Sequence, residues 1–416
     1  MKNEIIDSIV NLGFSLFNLI LNTVIKVLTF WIPQNQKRIL IGLWRGDRFA
    51  DNARYCYYEL ERIKGLEVYL LVNDKNIYNS LKKLNLNVVK KYSFKSIYLH
   101  LTSKYHIIDQ DHKGLLGYLS VNAIRLNLWH GLPFKKIWKL DLESKQKKNK
   151  IAFFIEKVNQ TIRRWCKGYC SVGRWYVFKL LTPSKYDWDF LFSKCVFSNL
   201  VKPLYCNYPR VDYLQDRIGS DLLEIEEEYL KQIKNAKNNG KKIIFYAPTF
   251  RDSADTKILG TNEINEINEF IKNMSKLNAV LMIKMHAVET SKIDDINNCI
   301  FLDAKCDISV FMKYADCLIT DYSSVYFDYL VFDKPIVFYP YDYDFYVNSD
   351  RGLMVDYNEF TPGEKVYTIK ELYLCISNIC SGNWQDSYSS ARNELKKKVW
   401  DDSYKTIGEY IKDNLL

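Results

Sequence analysis

Between Cys317 and Tyr339 the chain reads as strand, tight loop, helix and strand, and no other stretch constrains the fold as strongly. Cys317 to Ile319 is a short apolar run, and Thr320 to Ser324 are small and polar. Val325 to Phe332 keeps an apolar face at helical spacing until Asp333-Lys-Pro335 stops it, and Ile336 to Tyr339 is a second apolar run. A βαβ unit of this kind sets its loop at the carboxyl end of a strand. The amides and hydroxyls of Ser323 and Ser324 then stand at a helix N-terminus, where free N–H groups and the helix dipole favour a phosphate. Asp321 repels a phosphate and suits an N-cap, or a partner for a histidine or a ligand hydroxyl. Helix capping alone would also explain these residues.

The same alternation runs along the rest of the chain. Lys37 to Leu43 reads as a strand, followed by the polar loop Trp44-Arg-Gly-Asp-Arg48 and by Asp51-Asn52. Tyr55 to Lys64 reads as helix, Leu66 to Val72 as strand, Phe94 to Thr102 as helix, and Tyr105 to Ile108 and Ile124 to Trp129 as strands. After a turn at Asn207-Tyr-Pro-Arg210 and a helix over Ser220 to Asn239, the pattern restarts at Lys242. Strands alternating with helices predict an α/β fold with largely parallel sheets. A chain of 416 residues exceeds one ordinary core, which implies two domains of about 200 residues each. The expected division is an amphipathic helix over 1–33, an α/β domain over 34–216, a linking helix over 217–240, and a second α/β domain over 241–416 that includes the terminal helices.

Hydrophobic content of 48% with 26% charged residues describes a folded chain. The net charge of +10 is spread out, which suits a membrane surface, a nucleotide or a phosphorylated substrate; no nucleic-acid motif is present. Ten cysteines without a Cys-x-x-Cys pair point to reduced thiols rather than a zinc site. Neither a Rossmann fingerprint nor a Walker loop occurs.

Ile5 to Pro33 is mostly apolar, yet Glu4, Asp7, Asn11, Ser15, Asn18, Asn22, Lys26 and Thr29 recur at steps of three and four. They draw one polar stripe down a helix, which fits a helix lying in the membrane interface better than a span. From Lys135 to Lys167 the chain is densely basic, with Phe153, Phe154 and Trp165 interleaved. That composition suits anionic lipid or a lipid-linked phosphate, although a solvated lysine-rich face would look the same.

Of five histidines, His130 and His286 end strands in opposite halves of the chain. Either alone would more often be structural. With the Ser323-Ser324 loop, and with Arg251 at another strand end, they describe two α/β domains facing each other across a cleft, a nucleotide in one half and an acceptor in the other.

Trp129-His130-Gly-Leu-Pro-Phe-Lys135-Lys136, Tyr246-Ala-Pro-Thr-Phe-Arg251, Lys284-Met-His286, and Thr320-Asp-Tyr-Ser-Ser324 with Phe327-Asp328 together resemble the motif set of the CDP-glycerol glycerophosphotransferases of teichoic-acid and capsule synthesis. Asp51-Asn52, Tyr208-Pro-Arg210 and Arg351-Gly352 add to the likeness, whereas Ala287 stands where that family usually has proline. The resemblance implies a GT-B-type fold of two Rossmann-like domains. It also implies a peripheral position at the cytoplasmic face of the membrane. The activity implied is transfer of a polyol phosphate, from CDP-glycerol or CDP-ribitol, to a lipid-linked or saccharide acceptor. His130 and His286 would be catalytic, with His130 the base. Arg251, Thr320, Asp321, Ser323 and Ser324 would hold the donor, and Asp51, Asn52, Lys135, Arg210 and Arg351 would line the acceptor side or the cleft. No metal and no other cofactor is called for.

Those residue types suit the chemistry. A loose phosphoryl transition state asks mainly for positioning and positive charge, plus a base for the attacking hydroxyl. An imidazole, with an ordinary pKa near 6.5, serves as such a base. A GT-B nucleotide-sugar glycosyltransferase would present a similar constellation, and a non-catalytic membrane-bound scaffold could retain the fold.

Overall fold

The computed structural model describes every residue except 1, 111–113, 141–150, 152–153, 156, 159–177, 197–200, 250, 252–256, 285–297, 351 and 415–416; for 2–8, 11, 14–15, 18–19, 22 and 349 it describes only the backbone course. The short apolar runs form two parallel sheets, each in its own compact unit. Unit 1 comprises 1–130, 137–221 and 400–416, and unit 2 comprises 131–136 and 222–399.

Unit 1 carries strands β1 (Asn35–Gly42), β2 (Glu67–Val72), β3 (Val88–Lys90), β4 (Ser103–Ile108), β5 (Ile124–Asn127), β6 (Phe178–Thr182) and β7 (Val201–Tyr205), in the spatial order β3-β2-β1-β4-β5-β6-β7. Ile39, Leu40, Ile41, Leu70, Leu71 and Leu126 are fully buried, as expected for parallel strands covered on both faces. Helix α1 (Lys2–Thr29) precedes the sheet, and α2 (Asp51–Glu61), α3 (Lys75–Lys83) and α4 (Phe94–Thr102) connect its strands. Asp74 and Ser93 cap α3 and α4 by accepting hydrogen bonds from first-turn amides. No helix among the described residues is long and apolar enough to cross a membrane.

Unit 2 carries β8 (Lys242–Tyr246), β9 (Ala279–Ile283), β10 (Cys299–Phe301), β11 (Cys317–Thr320), β12 (Ile336–Phe338) and β13 (Glu364–Lys365), ordered β10-β9-β8-β11-β12-β13. The stretch that organised the sequence is there as expected: β11, a loop, helix Val325–Tyr329 tightening into a 3-10 turn at Leu330–Phe332, then β12. Asp333 ends the helix in the left-handed conformation at φ 46°, just ahead of Pro335.

Two expected boundaries are not followed. Rather than with the second α/β unit, the terminal helix Ile407–Asp413 groups with unit 1, where the amide of Gly408 donates to half-buried Glu59 of α2 at 2.7 Å. The helix expected to link the domains, Glu224–Asn238, groups with unit 2, where its Glu226 accepts from the amide of Asp307 at 3.0 Å.

Candidate active site

In each sheet the strand order reverses once, and ligands of open α/β sheets gather outside the carboxyl ends of strands at such a point. In unit 2 the reversal lies between β8 and β11, which are followed by Ala247–Arg251 and Asp321–Ser324. The Thr320 hydroxyl donates to the carbonyl of Ala247 at 2.7 Å and ties the two strand ends together. One oxygen of Asp321 accepts from the amides of Thr249 at 2.8 Å and Tyr322 at 2.6 Å. Its other oxygen pairs with Arg251 Nη2 at 2.9 Å.

Arg251 is 1% exposed. Its Nε and Nη2 grip both oxygens of Asp342, at 2.8 and 2.9 Å, and its Nη1 donates to the carbonyl of Thr249 at 2.6 Å. The rings of Tyr322 and Tyr346, stacked 3.9 Å apart, lie about 5 Å from its guanidinium carbon. Desolvation works against the charge, but the field of Asp321 and the bonds from Asp342 outweigh it and raise the guanidinium pKa further. The geometry therefore departs from the expectation that Thr320, Asp321 and Arg251 face a donor. Their polar atoms are engaged inside the unit, and these residues brace the loop. Asp342, the hub of this arrangement, was legible only as one acid in the aromatic stretch Tyr341–Tyr346.

Ser323 and Ser324 are different. Both are half-buried, and Ser324 occupies the N-cap position of the Val325–Tyr329 helix without a side-chain cap bond. A cavity of about 550 Å³ opens in the same unit, with Lys257, Tyr341, Asp342, Phe345 and Tyr367 in its lining.

In unit 1, His130 follows β5 and is half-buried, its ring 4.3 Å from that of Trp129 and 5.7 Å from that of Trp44, which follows β1. The strand-end loops of β1 and β5 thus meet at the imidazole. Asn52 and Arg210, expected to line the acceptor side or the cleft, are 0% and 3% exposed. Arg210 Nη1 pairs with Asp51 at 2.7 Å, and its backbone amide donates to the Asn52 side chain at 3.2 Å. Burial turns Asn52 and Arg210 inward, so they support the loop rather than offer a surface.

Lys135 is half-buried and bridges to Leu353 within unit 2. His286, Arg351 and most of the basic segment over 135–167 lie outside the described residues.

These features define a two-unit, parallel-sheet α/β protein with a histidine at a strand end of one sheet and a serine-bearing loop at the switch point of the other. The chain belongs to the CDP-glycerol:poly(glycerophosphate) glycerophosphotransferase family, whose model matches residues 24–405. It is 25% identical over 389 residues to a teichoic acid poly(glycerol phosphate) polymerase of Bacillus spizizenii, covering 91% of this chain and 93% of that protein. It is 27% identical over 335 residues to a teichoic acid glycerol-phosphate transferase of Staphylococcus aureus, covering 79% and 80%. Among solved structures, the wall teichoic acid polymerase TagF superposes with a TM-score of 0.69 at 21% identity, over 99% of this chain and 98% of that one.

Proposed function

We propose that the protein transfers a polyol phosphate, most simply glycerol phosphate, from a CDP-activated donor to a hydroxyl of a lipid-linked or saccharide acceptor in the synthesis of a teichoic-acid-like or capsule-like polymer. In this GT-B-type reading, unit 2 takes the donor and unit 1 the acceptor. The acceptor oxygen attacks the donor's β-phosphorus, the bond from that phosphorus to the bridging oxygen breaks, and CMP leaves with the electron pair. His130 accepts the proton of the attacking hydroxyl. Ser323 and Ser324 hold the diphosphate, with His286 assigned to the same task by its motif, while Arg351 belongs by its motif to the acceptor side or the cleft.

The observation that carries this reading is the contrast at the switch point of unit 2. Around it Thr320, Asp321 and Arg251 are buried and bonded internally, whereas Ser323 and Ser324 keep exposed surface; the same unit also holds a cavity of about 550 Å³, lined in part by Asp342, with room for part of a nucleotide. Arg251 and its partners would supply a rigid seat, which suits a reaction that depends on positioning.

A peripheral contact with the cytoplasmic face of the membrane is part of the proposal. On α1 the side chains of Ile9, Phe17, Ile20, Val24, Val27 and Leu28 are all close to half exposed or more and recur on one side of the helix. Thr29, the last residue of the polar stripe, is buried, and Asn122 donates to its carbonyl at 3.2 Å and to its hydroxyl at 3.1 Å. At this end Thr29 meets the protein, Lys26 of the same stripe stays exposed, and the apolar side faces away, an arrangement suited to shallow insertion in a bilayer.

The test is a donor screen with CDP-glycerol, CDP-ribitol and UDP- or GDP-sugars, in the presence of a lipid or saccharide acceptor. Acceptor-dependent CMP release is the expected result. Release of UDP or GDP instead would make the protein a nucleotide-sugar glycosyltransferase and overturn the proposal.

A further inference from the structure

Trp129 has φ 55°, in the left-handed region that bulky side chains avoid, and Gly131 follows His130 with φ 154°. A residue persists in such a conformation only where its surroundings over-determine it. Side-chain amides provide that constraint here. Asn52 Nδ2 donates to two successive carbonyls, Leu128 at 3.2 Å and Trp129 at 2.9 Å. Its Oδ1 accepts from the backbone amide of Arg210 at 3.2 Å, so both ends of the amide are engaged and its orientation follows from its partners. From the other side, Asn127 Oδ1 accepts from the amide of Trp129 at 2.9 Å, while its Nδ2 donates to the carbonyl of Gln110 at 3.3 Å.

We infer that Asn52, seconded by Asn127, is a positioning residue that sets the backbone turn carrying His130 and thereby aims its imidazole. The inference rests on His130 being the base in the proposed reaction. Asn52 touches no reacting atom in this scheme. It acts through the carbonyls of Leu128 and Trp129, which lie past the end of β5 and receive from Asn52 bonds that no neighbouring strand donates. Arg210 and Asp51 form the next layer, since Arg210 bonds Asn52 through its backbone and Asp51 through its guanidinium.

A carboxylate of the same shape in place of the amide would set an oxygen against two carbonyl oxygens, so Asn52→Asp is the sharpest perturbation. Full-length protein labelled with ¹³C in its five histidines, with the His130 signal assigned from His130→Ala, reads ring placement directly. Turnover and donor KM are read on the same samples. The expected result is a shifted or broadened His130 signal in Asn52→Asp, the other histidines unchanged, kcat lower on the order of 10²-fold and donor KM unchanged. Should Asn52→Asp fail to fold, Asn127→Leu removes the bond to the Trp129 amide and gives the same readouts. Asn127→Asp keeps that acceptor but sets its second oxygen against the Gln110 carbonyl, so its rate should fall between those of Asn127→Leu and wild type. A wild-type His130 signal and wild-type kcat in Asn52→Asp would overturn the inference, as would a KM rising in step with the fall in kcat. If His130→Ala itself keeps full kcat, the base assignment falls, and the His130 signal alone then decides whether Asn52 sets the ring.

Discussion

Arg251 grips Asp342 with two arms of its guanidinium, Nε to Oδ2 at 2.8 Å and Nη2 to Oδ1 at 2.9 Å, although the two residues stand 91 positions apart in the chain. The same guanidinium pairs with Asp321 at 2.9 Å, so one buried cation locks together the loops that follow β8, β11 and β12. Removing it would strand two carboxylates with their main partner gone.

Arg251→Lys keeps the charge but not the planar fork, and cannot serve both acids and the Thr249 carbonyl at once. Removing one side of a buried pair outright commonly costs about 3–5 kcal/mol, so Arg251→Lys, which keeps the charge, is expected to lose a measurable part of that in urea unfolding. Asp342→Asn, which keeps one acceptor, should cost less. Equal stability of Arg251→Lys and wild type would show that the network is not what holds these loops.

The two halves of the proposed site should fail differently. His130→Ala is expected to lower turnover by about 10²–10⁴-fold while CDP-glycerol still binds with wild-type affinity. Ser323→Ala and His286→Ala should instead weaken donor binding, measured by calorimetry. Loss of donor affinity in His130→Ala with retention in Ser323→Ala would reverse the assignment.

Buried His100 and half-buried Glu59 predict opposite pH dependences. His100 Nδ1 bonds the Ser96 carbonyl at 2.6 Å and must donate, which leaves Nε2 to accept from the amide of Leu116 at 2.9 Å; the ring is neutral in the fold. Desolvation lowers its pKa from 6.5 to about 4. Below pH 6.5 the unfolded chain takes up a proton that the folded one refuses, so stability falls between there and about pH 4. The shift corresponds to roughly 3 kcal/mol, and the deficit of His100→Asn against wild type should shrink by that much over the window. Desolvation raises Glu59 from 4.5 to about 7, so its burial is without cost at low pH and destabilises as pH climbs through that range. Glu59→Gln should gain on wild type at pH 8 and not at pH 4.5. Parallel pH profiles for wild type and either variant would count against these burial effects.

The exposed face of α1 is tested without disturbing its footing. Removing residues 1–24 spares the Thr29–Asn122 bonds, and should give a folded protein that turns over a water-soluble acceptor but works poorly on a lipid-linked one. The full-length protein should leave membranes in alkaline carbonate, as a surface-bound helix does. Resistance to carbonate would rule out the interface arrangement. A misfolded truncation would make α1 part of the core.

Hydrophobic period and short motifs are local properties, so the alternation of strand and helix, the placing of His130 and Ser323-Ser324 at strand ends, and the family could all be read from the chain before it folds. The division of labour among the polar residues depends on contacts between segments far apart in the chain. Arg251 finds Asp342 across 91 positions, Asn52 finds the Trp129 carbonyl across 77, and Glu59 finds the Gly408 amide across 349, which returns the terminal helix to unit 1. A buried charge or amide must be met by a partner wherever the fold brings one. Motif residues that looked alike in the chain therefore separate in the fold into those bonded inward, such as Thr320, Asp321, Arg251 and Asn52, and those that keep some exposed surface, such as His130, Ser323 and Ser324.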